Sequence, residues 1–149
     1  MQKKIKILIL GIGNPGRGDD GLGPKLVEQL ENEGLKTADF GFRYQLNVED
    51  ALTVKDYEIV VFADSCPAGE RPATLTEIGP SKTMSFSTHE MAPDSILALC
   101  QELYGRRPQA YILAIRGYDW DIREALSDAA DKNLARAIDL LKIFLKNHE

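Results

Sequence analysis

The sequence predicts an α/β protein: a three-layer sandwich with helices on both faces of a mostly parallel sheet. Three observations carry this. Short apolar runs alternate with segments of helical period along the chain. Several runs lack polar alternation, as strands covered on both faces require. The 149 residues are 44% hydrophobic and 28% charged, proportions of one globular domain (1–149) large enough to bury a core.

Ile5 to Leu10 opens the chain as a buried strand, and a glycine-rich turn follows it. Leu22, Leu26, Val27 and Leu30 recur at helical spacing, with Gly34 as the stop. Residues 36–42 form a weaker second strand, and a short helix is expected around Val48 to Leu52. Ile59 to Ala63 is a third, wholly apolar strand, with Asp64 at its C-terminal end. Thr74 to Ile78 alternates between Pro72 and Gly79-Pro80, the signature of an edge strand. Residues 94–104 make an amphipathic helix ending before Gly105, and Tyr111 to Ile115 is another buried strand. The last helix runs from about Ser127 to Lys146, with Leu134, Ile138, Leu141 and Leu145 on the face expected to pack on the sheet.

Charge and composition exclude several classes. Lys and Arg total 18 against 23 Asp and Glu, a net charge of −5. Such a chain is a poor binder of nucleic acid or anionic membrane. No apolar run approaches the ~18 residues that span a bilayer. Lys3 and Lys4 precede an apolar stretch, but Lys6 interrupts it and glycines follow, so a strand rather than a signal peptide is expected. Two cysteines make no disulfide framework. The expectation is a soluble, cytoplasmic protein.

The loop Gly11-Ile12-Gly13-Asn14-Pro15-Gly16-Arg17-Gly18-Asp19-Asp20-Gly21-Leu22-Gly23 contains G-x-G-x-x-G between a strand and a helix. Alone, that dinucleotide fingerprint is weak. A phosphate there would meet Asp19 and Asp20, which suit a helix N-terminus but repel an anion. Pro15 also removes an amide donor. One aspartate is expected to cap the helix. The crowded glycines point to close backbone approach beside the other carboxylate.

Asp64 stands where ligands bind in open α/β sheets, outside a strand's C-terminal end. A turn-forming aspartate is the plainer alternative. The chain has two histidines. His148 is penultimate and expected to fray, which leaves His89 as the imidazole for chemistry. One His with two carboxylates suits an open site for Ni, Zn, Mn or Fe. A Cys66–His89 thiolate pair has no local signature, Cys66 is expected to be a small buried residue, and Cys100 lies among helical leucines as core. No G-x-S-x-G elbow supports a serine hydrolase.

Together these segments resemble the hydrogenase maturation proteases. The similar pieces are the first strand with Gly11-Ile12-Gly13-Asn14, then Gly18-Asp19-Asp20-Gly21-Leu22-Gly23-Pro24, Ala63-Asp64 and Thr88-His89-Glu90-Met91. They cover residue 5 to about 93, and the late strand and Leu126-Ser127 are also similar. The resemblance implies a twisted, mostly parallel five-stranded sheet in a three-layer α/β/α sandwich, with its edge strand antiparallel. It implies an aspartyl-type endopeptidase that removes a C-terminal peptide from the large-subunit precursor of a nickel–iron hydrogenase. Asp20, Asp64 and His89 match the family's metal-binding and catalytic positions. The resemblance further implies that the nickel arrives with the substrate as its recognition tag, with another divalent metal able to substitute.

Two departures stand out. Asp20 occupies a position where some members carry Glu, so the shorter side chain brings the loop closer to the metal. Many members carry an Asp-Gly-Gly-Thr-like segment after the second strand, where this chain reads Asp39-Phe40-Gly41-Phe42-Arg43-Tyr44-Gln45-Leu46. Phe42, Arg43 and Tyr44 either contact the substrate peptide or pack on the sheet. Asn14 is expected to fix the loop beside the substrate, and Asp19 to orient Asp20 or cap the first helix. A non-enzymatic nickel checkpoint and a nucleotide-binding module remain the alternatives.

Overall fold

The computed structural model describes residues 4–82 and 91–148. Its strands are β1 (Ile7–Ile12), β2 (Asp39–Arg43), β3 (Ile59–Cys66), β4 (Ala73–Ile78) and β5 (Gln109–Arg116). Its helices are α1 (Leu22–Asn32), α2 (Asp50–Val54), α3 (Pro93–Tyr104) and α4 (Asp128–Lys146). The strands form one sheet in the order β2-β1-β3-β5-β4. Four are parallel, and β4 runs antiparallel along β5. This is the expected mixed five-stranded sheet with an antiparallel edge.

The unalternating apolar strands are central because both faces are covered. Ile7 and Ile9 of β1, with Val61 and Ala63 of β3, join the core under α1 and α4. Leu8, Leu10, Val60 and Phe62 point the other way, into a second core with α2 and α3. All six residues of β1 are buried. Edge strand β4 has no buried residue, as its polar alternation requires.

Helix ends follow their signals. Gly34 and Gly105 adopt positive φ of 74° and 64° after α1 and α3. The Ser127 hydroxyl caps α4 by accepting the Ala130 N–H. Leu134, Ile138, Leu141 and Leu145 are buried against the sheet, so packing is the use of that apolar face. No helix among the described residues is long and apolar enough to cross a membrane.

Element boundaries differ from expectation, β1 and β5 by two residues among them, and three of the shifts follow from partnering. β2 starts at Asp39 and ends at Arg43 because its register follows β1 from Leu8 to Ile12. The short helix starts at Asp50 because Asn47 to Glu49 make the turn that its carboxylate closes on the Asn47 N–H, at 3.0 Å. β3 continues past Asp64 to Cys66, since β5 pairs with it through Cys66 while β1 pairs only as far as Ala63. Asp64 therefore leaves the sheet interior at the place where β1 falls away.

That place is the topological switch point. From β1 the chain crosses to β2 on one side, then returns to place β3 on the other. The connections diverge and leave a crevice above the C-terminal ends of β1 and β3, where open α/β sheets bind ligands.

Candidate active site

The glycine loop fills one side of this crevice. After β1 it turns through Asn14 and Pro15 into a tight 3-10 turn, Gly18–Gly21, which leads into α1. Two glycines show why side chains are absent. Gly13 has φ of 141°, and a Cβ there would lie 1.9 Å from the Asp20 carbonyl oxygen. A Cβ on Gly23, in the first turn of α1, would lie 2.4 Å from the Ala63 carbonyl oxygen. The loop and the helix start are thus pressed onto β1 and β3, and this carries Asp20 toward Asp64.

Asp20 and Asp64 are both half-buried and share a neighbour, Ser65. Asp20 Oδ2 accepts the Asn14 N–H at 2.8 Å. Asp20 Oδ1 lies 3.4 Å from the Ser65 hydroxyl, a long donor contact. The Ser65 N–H donates to Asp64 Oδ1 at 2.8 Å. Ser65 therefore joins the two carboxylates. Nothing beyond its place after Asp64 singled it out, because its other partner lies 45 residues away.

Asn14 fixes the loop as expected. Its Oδ1 accepts the Gly16 N–H at 2.8 Å, and its carbonyl accepts the Arg17 N–H. The same bonding answers the phosphate question. Apart from Pro15, every amide from residue 13 to 20 donates within the protein, to Arg43, Asp20, Asn14, Arg123, Asp119 or Arg17. No N–H in that stretch is left to cradle a phosphate, and the Asp20 carboxylate already supplies the local anion. The geometry argues against the nucleotide alternative.

Asp19 is not the cap of the first helix. It is fully buried, and the N-cap position of α1 is Gly21, which has no side chain to cap with. Expected also to bind substrate, its carboxylate instead turns inward, away from solvent. Its Oδ2 accepts the Tyr118 N–H at 2.7 Å, the Asp119 N–H at 2.9 Å and the Ser127 hydroxyl at 2.7 Å. Its Oδ1 accepts the Ser127 N–H at 2.7 Å. Burial alone would raise its pKa, but the bonds from Ser127, Tyr118 and Asp119 outweigh it and hold the carboxyl below its ordinary 3.8. Asp19 clamps the glycine loop to the loop after β5 and to the start of α4.

The end of β2 and the residue after it divide in use. Arg43 turns toward α2, where its Nε meets Asp50 Oδ1 at 2.8 Å and its Nη1 donates to the Phe42 carbonyl. It braces β2 against α2. Phe42 and Tyr44 are exposed and meet edge to face, with ring centroids 5.0 Å apart. With Asn14, Pro15 and Gly16 they line a cleft of ≈ 730 Å³ along α1.

Two minor expectations are also revised. Cys66 is half-exposed at the end of β3, with its Sγ 3.2 Å from the Ala68 carbonyl, rather than buried. His148 has partners at the chain's end: its ring centroid lies 4.3 Å from that of Phe144, and its Nδ1 lies 2.8 Å from the Phe144 carbonyl oxygen. Cys100 is core, and burial pushes its thiol up.

His89 lies outside the described residues. Among the described residues no group of three His, Cys, Asp or Glu could hold a metal. Of the three expected ligands, Asp20 and Asp64 lie among the described residues. A carboxylate oxygen has two lone pairs, so Asp20 can accept its two hydrogen bonds and still ligate a cation.

No family model matches the chain. A protein of Methanocaldococcus jannaschii assigned as a hydrogenase maturation protease is 25% identical over 154 residues, covering 93% of this chain and 96% of the relative. Solved structures show the same architecture. The nickel–iron hydrogenase maturation protease HycI of Thermococcus kodakarensis is 26% identical with a TM-score of 0.68, covering 96% of this chain and 94% of its own. The hydrogenase maturating endopeptidase HybD of Escherichia coli, at 16% identity, superposes with a TM-score of 0.75 over 96% of this chain and 93% of its own.

Proposed function

We propose, from a chain whose sequence and fold resemble those of the hydrogenase maturation endopeptidases, that it cuts a C-terminal peptide from the nickel-loaded large-subunit precursor of a nickel–iron hydrogenase. One observation supports this most: Asp20 and Asp64 sit at the switch-point crevice, joined through Ser65. Asp20, Asp64 and His89 receive the nickel that the incoming subunit carries. Two carboxylates and an imidazole suit such a borderline ion and leave positions open. A divalent ion there supplies Lewis-acid chemistry, polarising a carbonyl or lowering the pKa of a bound water.

The protein's own residues do the positioning. Asn14 holds Asp20 through its backbone N–H, so Asp20 meets the metal from a fixed rotamer. Ser65 keeps the two carboxylates in one arrangement. Phe42 and Tyr44 offer the substrate polypeptide an aromatic wall beside the loop. The free cysteines Cys66 and Cys100 and the soluble composition favour action in the cytoplasm.

The test uses cognate precursor, nickel-loaded and nickel-free, with wild type and His89→Ala, followed by intact mass. Loss of a C-terminal peptide from loaded precursor with wild type alone is the expected result. Cleavage by His89→Ala at the wild-type rate removes His89 from the site. Tight binding of loaded precursor without peptide release identifies a nickel checkpoint instead of a protease.

A further inference from the structure

We infer that the trench along α1 receives a Lys- or Arg-bearing segment of the substrate polypeptide. This rests on the endopeptidase reading and adds the charge class of what it accepts. The ≈ 730 Å³ cleft opens between α1 and the Phe42–Tyr44 pair. Asn14, whose N–H donates to the Asp20 carboxylate, is one of its lining residues, so the groove and the site share the glycine loop.

The walls select the occupant. Glu28 and Glu31 of α1 and Glu124 line the cleft, against one cation, Lys25. A second hollow of ≈ 550 Å³ shares Lys25 and Glu28 and continues between α1 and α4, adding Asp128 and Asp131. Glu33, also on that stretch, is neutralised by Lys142 at 3.0 Å. Among the described residues, Glu28, Glu31, Glu124, Asp128 and Asp131 form no ion pair.

An acidic peptide would meet like charge along the whole path. A cationic side chain meets carboxylates on one wall and exposed ring faces of Phe42 and Tyr44 on the other, and both attract it. Length agrees as well. The 11-residue α1 rises about 16 Å, enough to flank about five residues of extended peptide.

The test is the variant Glu28→Gln/Glu31→Gln/Glu124→Gln, in which every changed residue is exposed. With full cognate precursor, KM is expected to rise about tenfold while the loss in kcat stays under about twofold, because the groove binds and does not react. Salt at 0.5 M is expected to bring wild-type KM close to the variant's by screening. In parallel, anisotropy is read for two labelled five-residue peptides, one Lys-rich and one Glu-rich. Wild type is expected to bind the Lys peptide at least about fivefold tighter, and the variant to lose that preference. Cleavage with unchanged KM and no salt effect overturns the groove and leaves the protease reading standing. A Lys preference that depends on the three glutamates, in a protein that cleaves no precursor, upholds the groove and overturns the protease reading. Equal peptide affinities overturn the groove whatever the cleavage result.

Discussion

Asp19 and Asp20 are neighbours in sequence and opposites in use. Asp19 points inward and is saturated by four donors from Tyr118, Asp119 and Ser127. Asp20 points outward and holds one amide and one long hydroxyl contact at a crevice. The 3-10 turn makes the difference, because successive side chains there leave the backbone about a third of a turn apart. One carboxylate can then be a structural clamp while the next serves chemistry. A pair of acids in a glycine loop is therefore not evidence for a two-carboxylate site.

The strongest way to break this contrast is Asp20→Asn. The amide oxygen still accepts the Asn14 N–H, so thermal stability should move by less than about 1 kcal/mol. Precursor processing should fall by about a thousandfold, beyond the 10- to 100-fold that outer-shell residues are typically worth. Comparing turnover with the melting curve on one preparation checks it; an unfolded variant, or an active one, breaks the contrast.

Asp19→Ala should do the reverse. It leaves buried donors without an acceptor, at about 1–3 kcal/mol each before relaxation. We expect a net loss of about 3 kcal/mol, or about 10 °C in Tm for a chain of this size. Denaturant unfolding measures it directly. A loss under about 1 kcal/mol would mean that the clamp is not structural.

Ser65→Ala sharpens the comparison at the shared residue. The backbone bond to Asp64 survives and only the hydroxyl contact to Asp20 goes. Processing should fall about tenfold with little change in stability, within the range of outer-shell effects. Steady-state kinetics on loaded precursor reads it, and Ser65→Thr should restore part of the rate.

The smallest effects are in pH. The Asp19 carboxyl is held below its ordinary value in the folded protein, so it favours folding above pH 3.8 and this contribution fades as pH falls through the lower folded value. Asp19→Asn should therefore flatten the acid side of the stability curve, below about pH 4. Metal affinity titrates elsewhere. A ligating imidazole must be neutral, so affinity through His89 should fall as pH drops through about 6. Isothermal titration with nickel between pH 5 and 8 checks this, and a flat profile would remove His89 as a ligand.

Much of the fold was legible because it is written in local period. The unalternating runs at Ile7 and Ile59 could only be strands covered on both faces, and the alternation from Thr74 to Ile78 could only suit an edge. The crevice was legible too, since Asp64 follows a buried parallel strand. The clamp was not. Its donors lie 99 to 108 residues from Asp19, and nothing in their local sequence marks them as partners. Arg43 and Tyr44 show the same limit: they are one residue apart, yet one meets Asp50 and the other a cleft.

By itself, then, the sequence determined which segments are strands and helices, which sheet faces are covered, and that carboxylates gather at one edge, because hydrophobic period and residue type act over a few neighbours. Tertiary structure alone decided which of two adjacent aspartates faces the crevice, that Ser65 joins Asp20 to Asp64, and that the loop's amides are closed to phosphate. Those outcomes depend on hydrogen-bond partners brought together by the sheet order β2-β1-β3-β5-β4, and sequence distance carries no information about them.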